Sequence, residues 1–399
     1  MTDAASLTTL PPLTAEQRAH SERVADSLVG AIEANGGSLS FAAFMRHALY
    51  APGLGYYAAG ATKFGAAGDF VTAPEMSRLF GRALARQCAD VLAVTGGDIV
   101  EFGAGSGALA ETLLLELDRL GRLPDRYCIV EVSADLSARQ RERLQALPPS
   151  LASLVQWLQR WPGVPVRGLL LANEVLDAMP VERFMLRRLG TAAFAIDALA
   201  VARGAGDQFA WRTMAPSPQL DAVARAIVED APLPLPHGYI GEVCLDVAPW
   251  VAALAAGLER GVALLIDYGL PRWHLYHPDR TAGTLQCHFR HRAHDDPLVH
   301  VGLQDITAWV DFTRVAEAAN AAGLQLLGFV TQAAFLLGCD VQSLLGESSD
   351  ERERLRLAGE ARRLLMPGEM GEAFKVMALG RDFHGTLRGL QHQDLRGSL

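Results

Sequence analysis

The sequence predicts an α/β fold built on a mostly parallel sheet, and three features of the 399 residues lead to it. From residue 98 onward, short apolar runs alternate with longer segments of helical periodicity, which is the pattern of successive βαβ units. Glu101-Phe102-Gly103-Ala104-Gly105-Ser106-Gly107-Ala108 follows the first of these runs and opens a helix, as a ligand-binding glycine turn does. Glu131 and Glu174 close later runs, at strand ends where open α/β sheets hold their ligands.

Residues 1–14 read as a flexible arm, and residues 15–97 as an N-terminal helical extension that includes a covering loop. Val24, Leu28, Val29 and Ile32 recur at helical spacing, and Asn35-Gly36-Gly37 stops that helix. Ser38-Leu39-Ser40 caps a second helix, which ends before Ala51-Pro52-Gly53. The stretch 53–68 is rich in Gly, Ala and Tyr and suits a loop lying over a ligand; Tyr56, Tyr57, Phe64 and Phe70 are either its cover or core packing. Thr72 and Glu75 have capping-box spacing with Pro74 in the first turn, so one helix is expected from there to about Thr95, closed by Gly96-Gly97.

Residues 98–180 form the cofactor-binding βαβ core, with strands expected at 99–102, 127–131, 155–158 and 169–172 and helices at 107–120 and 134–147. Trp157 and Trp161, at the end of the weak third strand, are candidate adenine stackers, with burial as the commoner fate of a tryptophan. Residues 181–246 break the alternation. Strand signals at 183–189 and 209–213 and the proline-dense 231–236 suggest a hairpin-like insertion between strands 4 and 5. Residues 247–380 resume the sheet: a helix at 247–260, a buried strand at 262–266 ending in Asp267-Tyr268-Gly269, an irregular substrate loop at 271–305, a helix at 312–322, and late strands at 324–331 and 374–378. Residues 381–399 are a tail.

Composition excludes several classes of protein. Apolar residues make up 50% of the chain and charged residues 20%, so a core is available and disorder is not the main state. A net charge of −9, from 36 basic and 45 acidic side chains, argues against a nucleic-acid-coating protein. Cys88, Cys128, Cys244, Cys287 and Cys339 contain no CxxC pair, which fits a reducing compartment. No apolar run is long enough to cross a bilayer, and MTDAASLTTLPPLT has neither a basic n-region nor an apolar h-region. The expectation is a cytoplasmic protein with no nucleic-acid or membrane partner.

Gly103, Gly105 and Ala108 also satisfy the dinucleotide pattern GxGxxA, so an NAD(P)-dependent oxidoreductase is the first rival reading. Glu101 favours the other cofactor class. A carboxylate two residues before the first glycine would repel a pyrophosphate, but it would attract the ammonium of S-adenosyl-L-methionine. Glu131, closing the next strand, is placed to accept both ribose hydroxyls. The expected cofactor shell is Glu101, Gly103, Ala104, Gly105, Gly107 and Glu131, with Asp69, Phe70 and Thr72 at the end of the covering loop and Asn173 at the fourth strand.

The acceptor side begins at Asn173-Glu174-Val175-Leu176-Asp177. Methyl transfer needs an oriented nucleophile and control of its proton, and paired carboxylates can localise the charge of a guanidinium and present one nitrogen. Glu174 and Asp177 suit that task, with Asn173 positioning a substrate N–H through its side-chain carbonyl. The alternative is that Asp177 caps a short helix and Glu174 is its solvated neighbour.

Gly68-Asp69-Phe70-Val71-Thr72-Ala73-Pro74-Glu75, the Glu101 to Gly107 turn, Val130-Glu131-Val132-Ser133, Asn173-Glu174-Val175-Leu176-Asp177-Ala178-Met179-Pro180, Asp267-Tyr268-Gly269 and Met370-Gly371-Glu372-Ala373-Phe374-Lys375-Val376 together resemble the MidA-like family. Its members are bacterial relatives of a mitochondrial complex I assembly factor that methylates an arginine. The resemblance implies a class I methyltransferase (Rossmann-like) sheet of seven strands, the last antiparallel, with helices on both faces. It also implies S-adenosyl-L-methionine use and an arginine-bearing protein substrate, with a respiratory complex I subunit among the candidates. Mitochondrial members carry a Pro-Gly-Arg-Gly turn where this chain has Ala104-Gly105-Ser106-Gly107, so their substrate does not carry over automatically.

His288, His291 and His294 recur every third residue, followed by Asp295, Asp296 and His300, with His274 and His277 upstream. Arg290 and Arg292 interleave with them and would repel a cation, so no metal is expected. The loop is placed against the acceptor, with His291 or His294 hydrogen-bonding it or moving its proton. The resulting expectation is a protein arginine N-methyltransferase with Glu174, Asp177, Asn173 and His291 at the acceptor. Methyl transfer to another side chain or a small molecule is the near alternative, a non-catalytic assembly factor on the same fold is the far one, and a homodimer is an allowed assembly.

Overall fold

The computed structural model describes residues 10–59, 72–158, 160–161, 165–190, 193–347 and 350–399. They form two compact units. One draws on Met1–Val71, Pro180–Cys244 and His277–Ala308, and the other on Thr72–Met179, Leu245–Tyr276 and Trp309–Leu399.

The second unit is built on strands β1 (Asp98–Phe102), β2 (Tyr127–Val130), β3 (Val155–Leu158), β4 (Val166–Asn173), β5 (Leu258–Leu270), β6 (Gln325–Thr331) and β7 (Phe374–Arg381). Their spatial order is β6-β7-β5-β4-β1-β2-β3. β7 runs antiparallel to both its neighbours, whereas β5, β4, β1, β2 and β3 pair in parallel. Parallel strands covered on both faces lose the polar alternation of a half-exposed strand, which is why β1, β4 and β5 are near-continuous apolar runs.

Six helices of the unit matter for the site: α1 (Arg78–Thr95), α2 (Ala108–Arg119), α3 (Ala134–Gln145), α4 (Val247–Gly257), α5 (Phe312–Ala321) and α6 (Glu351–Leu365). Alternate strand residues face opposite ways. Ile99, Leu169, Leu171, Val262 and Leu264 join one core with Phe80, Leu84, Leu109 and Leu113 of α1 and α2. Phe102 turns to the other face, its ring 5.8 Å from that of Trp250 on α4.

The expected single helix from Pro74 to Thr95 is broken. Ala73–Met76 is a separate turn, and Ser77 (φ −154, ψ 131) caps α1 by accepting from Leu79 N while its hydroxyl donates to Glu360 Oε2 at 2.7 Å. Thr72 makes no capping bond, so the expected capping box is absent; the Ser106 hydroxyl donates to Glu75 instead.

Gly168 on β4 and Gly261 on β5 are paired in register, and Gly168 also pairs with Asp98 on β1. Both glycines have positive φ, 124° and 144°, and a Cβ on Gly168 would lie 2.1 Å from Asp98 O. Gly168→Ala is therefore expected to destabilise the protein by about 3 kcal/mol, from left-handed strain plus overpacking. Denaturant unfolding checks this; a loss under about 1 kcal/mol would show that the sheet yields.

In the first unit, Thr14 and Gln17 form a full capping box on helix Ala15–Ala34, and Ser40 caps Phe41–Tyr50. The insertion is more than hairpin-like. Glu182–Arg188 pairs with Phe194–Arg203 and Ile240–Val243, Phe209–Met214 edges the sheet, and helix Pro218–Asp230 packs on it. The stretch expected to be irregular contains a small sheet of Gln286–Phe289, Arg292–His294 and Asp305–Thr307.

Buried polar contacts tie these distant segments together. Arg183 Nε donates to Glu242 Oε1 at 2.9 Å and its NH2 nitrogen to Ala282 O at 3.0 Å, while Thr284 N donates to Glu242 Oε2 at 2.7 Å. Tyr57 donates to Asp305 Oδ1 at 2.8 Å and stacks on Tyr50, and Tyr56 is buried in the same core; both tyrosines have packing roles in this unit. Phe64 and Phe70 lie outside the described residues. All five cysteines are free thiols, and no described helix is long and apolar enough to cross a membrane.

Candidate active site

The turn after β1 is a backbone cradle. Gly103, Gly105 and Gly107 all take left-handed φ values of 63°, 54° and 83°, conformations that side chains disfavour. Gly103 N donates to Val130 O at 3.1 Å, which anchors the turn to β2. Gly107 is the N-cap of α2 and offers no side chain to the first-turn N–H groups, so these and the helix dipole face the turn.

Two carboxylates close the adjacent strands β1 and β2. Glu101 is 2% exposed and accepts a hydrogen bond from the Tyr127 hydroxyl at 2.7 Å. Burial pushes its pKa up to about 7 against that hydrogen bond, and Glu131 adds to the rise. A desolvated carboxylate of this kind gains strongly from a cationic partner. Glu131 is also buried; Oε1 accepts from Ser133 N at 2.8 Å and Oε2 from Gln140 Nε2 at 3.0 Å.

Gln140, fully buried on α3, was not singled out from the sequence. Its Nε2 also donates to Gly105 O at 3.0 Å, and its Oε1 accepts from Trp157 Nε1 at 3.0 Å, so one amide joins the glycine turn, the β2 carboxylate and β3. The signal was available: Gln140 stands midway between Leu136 and Leu144 on the buried face of α3, where a polar group must find partners. Gln140→Leu leaves Trp157 N–H and Gly105 C=O unpaired. It should cost about 1–3 kcal/mol of stability and weaken S-adenosylhomocysteine binding roughly tenfold; unchanged affinity by calorimetry would remove the positioning role.

Both tryptophans are half-buried and make contacts within the protein. Arg141 lies over the Trp157 ring at 4.1 Å, and Trp161 donates to Ala253 O at 2.8 Å with its ring 5.0 Å from that of Phe102. Val132, next to Glu131, is by contrast 78% exposed. Asp69 and Phe70, placed at the cofactor by sequence, lie outside the described residues, and Thr72 starts the Ala73–Met76 turn.

The end of β4 carries the acceptor candidates. Glu174 is held at φ 53 with its N–H donating to Ile266 O at 2.9 Å, a strained conformation for a residue with a side chain. Asn173 Nδ2 donates to Glu174 Oε1 at 3.2 Å. Asn173 Oδ1 and Asp177 Oδ1 are buried without a hydrogen-bond partner. Asp177 is no helix cap. No helix follows β4, and Asp267 on β5 holds the turn instead, its Oδ2 accepting from the N–H groups of Val175, Leu176 and Asp177 at 3.2, 2.9 and 3.3 Å. Burial raises the pKa of Asp177 to about 6 although the Tyr268 hydroxyl bonds it. Burial, followed by the charges of Asp177 and Glu174, raises Asp267 as well.

His291 lies in the first unit, exposed at φ 60 in the turn between Gln286–Phe289 and Arg292–His294. Burial lowers the pKa of His288 and His294. Among the described residues, no group of three or more His, Cys, Asp or Glu side chains could hold a metal ion.

A left-handed glycine cradle at a helix N-terminus, flanked by buried carboxylates that invite an ammonium and a ribose, fits S-adenosyl-L-methionine. With this sheet order, the site defines a class I S-adenosylmethionine-dependent methyltransferase. Residues 83–330 match the family described as "Putative S-adenosyl-L-methionine-dependent methyltransferase", and the chain belongs to that family. It is similar to a Burkholderia thailandensis protein whose crystal structure contains S-adenosyl-homocysteine: TM-score 0.91, 41% identity, covering 98% of this chain and 100% of that one. It is also similar to the "Protein arginine methyltransferase NDUFAF7, mitochondrial" of Xenopus tropicalis, 30% identical over 86% of this chain and 82% of the relative. The human protein of that name is 28% identical over 90% and 82%. Family and neighbour decide between the two cofactor readings: this is an S-adenosylmethionine-dependent enzyme, not a nicotinamide one.

Proposed function

We propose that this methyltransferase modifies an arginine side chain of a protein substrate. The observation that carries the reading is the pair of unclaimed buried acceptors, Asn173 Oδ1 and Asp177 Oδ1, beside the strained Glu174. Buried acceptors without donors are costly, and a guanidinium, with five N–H groups in a fixed fork, meets that demand. The names of the curated relatives agree with it.

Bound S-adenosyl-L-methionine supplies an electrophilic methyl group on a sulfonium. In this reading Glu101 and the backbone of Gly103, Ala104, Gly105 and Gly107 hold its methionine end, Glu131 holds the ribose hydroxyls, and Val132 offers adenine an apolar face. Thr72 and Asn173 complete that shell. Glu174 and Asp177 orient the guanidinium, with Asn173 assisting. The family resemblance adds respiratory complex I subunits as the first acceptors to try.

The test is transfer of label from methyl-labelled S-adenosyl-L-methionine into extract from cells lacking this chain, followed by acid hydrolysis. Labelled methylarginine is expected. Label confined to lysine, another residue or a small molecule would end the arginine reading.

A further inference from the structure

We propose that Asp267 is a positioning residue for the acceptor, fixing the Glu174–Asp177 turn through three backbone N–H groups and controlling the protonation of the Asp177 carboxyl through its own charge. The inference rests on the reading of that turn as the acceptor site.

Asp267 is 1% exposed, and both its oxygens are engaged: Oδ2 by Val175, Leu176 and Asp177 N–H, Oδ1 by Tyr268 N–H at 2.9 Å. Burial raises both carboxyls, but four N–H donors hold Asp267 as an anion, whereas Asp177 has the Tyr268 hydroxyl and the Ala178 N–H and leaves Oδ1 without a partner, so the first proton the pair binds goes to Asp177. Asp177 is faced by Asp267 and the Tyr268 hydroxyl from β5 and by the Ala178 N–H of its own turn, while the charges of Asp177 and Glu174 both bear on Asp267. Lys375 pairs with Asp267 in register on β7, but its ammonium is turned to the carbonyls of Glu372 and Ala373.

The chemistry needs a base at this place. As a guanidinium nitrogen forms its bond to carbon, the sulfur–carbon pair stays on sulfur and one N–H proton must leave. Asp177 in its carboxylate form takes that proton and later releases it to water. Activity therefore rises with pH through the ionisation of Asp177, and that ionisation occurs at higher pH while Asp267 is charged beside it.

Asp267→Asn keeps an oxygen for the turn and removes the charge. It should lower kcat roughly tenfold, move the acid limb of the pH–rate profile down by about half a unit or more, and leave S-adenosylhomocysteine affinity within about twofold. Asp267→Glu should keep the limb in place. Carboxyl 13C titration of Asp177 in the protein without acceptor gives a readout independent of turnover. Its midpoint should fall in Asp267→Asn, and the Asp267 midpoint should fall reciprocally in Asp177→Asn, a second variant that serves if the first does not fold. Unmoved midpoints would overturn the proposal whatever the acceptor is. Methylation of something other than arginine would end the arginine reading while leaving this titration decisive.

Discussion

Glu101→Gln is expected to weaken S-adenosylhomocysteine binding by 100-fold or more while making the ligand-free protein more stable at pH 8. The two effects share one cause. The carboxylate is fully buried, and burial raises it from an ordinary 4.5 to about 7. Its folded value lies above its unfolded one, so the folded state loses stability as pH rises from about 4.5 to 7 and stays at the lower level above that. The rise corresponds to at most about 3 kcal/mol, which glutamine restores at pH 8 and which vanishes near pH 4.5. If Glu101 holds the ammonium as proposed, removing the buried charge also removes that partner, a loss of about 3–5 kcal/mol and hence roughly 100-fold or more in affinity. Wild-type affinity should weaken as pH falls below about 7. Calorimetry and thermal melts at pH 5 and 8 check both effects; a variant that binds normally would remove Glu101 from the cofactor site.

Glu174→Gln should reduce arginine methylation by roughly 100-fold, with cofactor affinity changed less than threefold, because a charge-assisted bond to the guanidinium is lost and nothing in the glycine turn is touched. Its left-handed backbone gives an independent handle. Glu174→Gly relieves φ 53 and should stabilise the fold by about 1 kcal/mol while also losing activity. An active Glu174→Gly variant would mean that the strain at the end of β4 serves packing alone.

Much of the sheet was legible locally. β1, β2, β4 and β5 are apolar runs bounded by turn residues, and their period and length identify them without reference to the rest of the chain. Glu101 and Glu131 were legible because strand order places strand ends at the ligand, and two acids at two such ends are a local pattern. Gln140 and Asp267 were less so. Asp267 was visible as a strand end, but its bonds to residues 175–177 join positions some 90 apart in the chain.

The missed features share that origin. The Thr72–Glu75 capping box has the right spacing, yet Glu75 binds the Ser106 hydroxyl from the glycine turn and the helix restarts at Ser77. The 271–305 stretch shows no periodicity, yet it forms a small sheet and is tied to the insertion and the N-terminal helices by Glu242 and Tyr57.

By itself the sequence determined the α/β class, the glycine turn and the acids that flank it, because periodicity and turn chemistry act between neighbours in the chain. Tertiary structure alone decided which buried polar groups find partners, and so placed Gln140 beneath the cofactor cradle and left Asn173 and Asp177 each with an open acceptor. Hydrogen-bond satisfaction in a low-dielectric interior is settled between residues that meet only when the chain has folded.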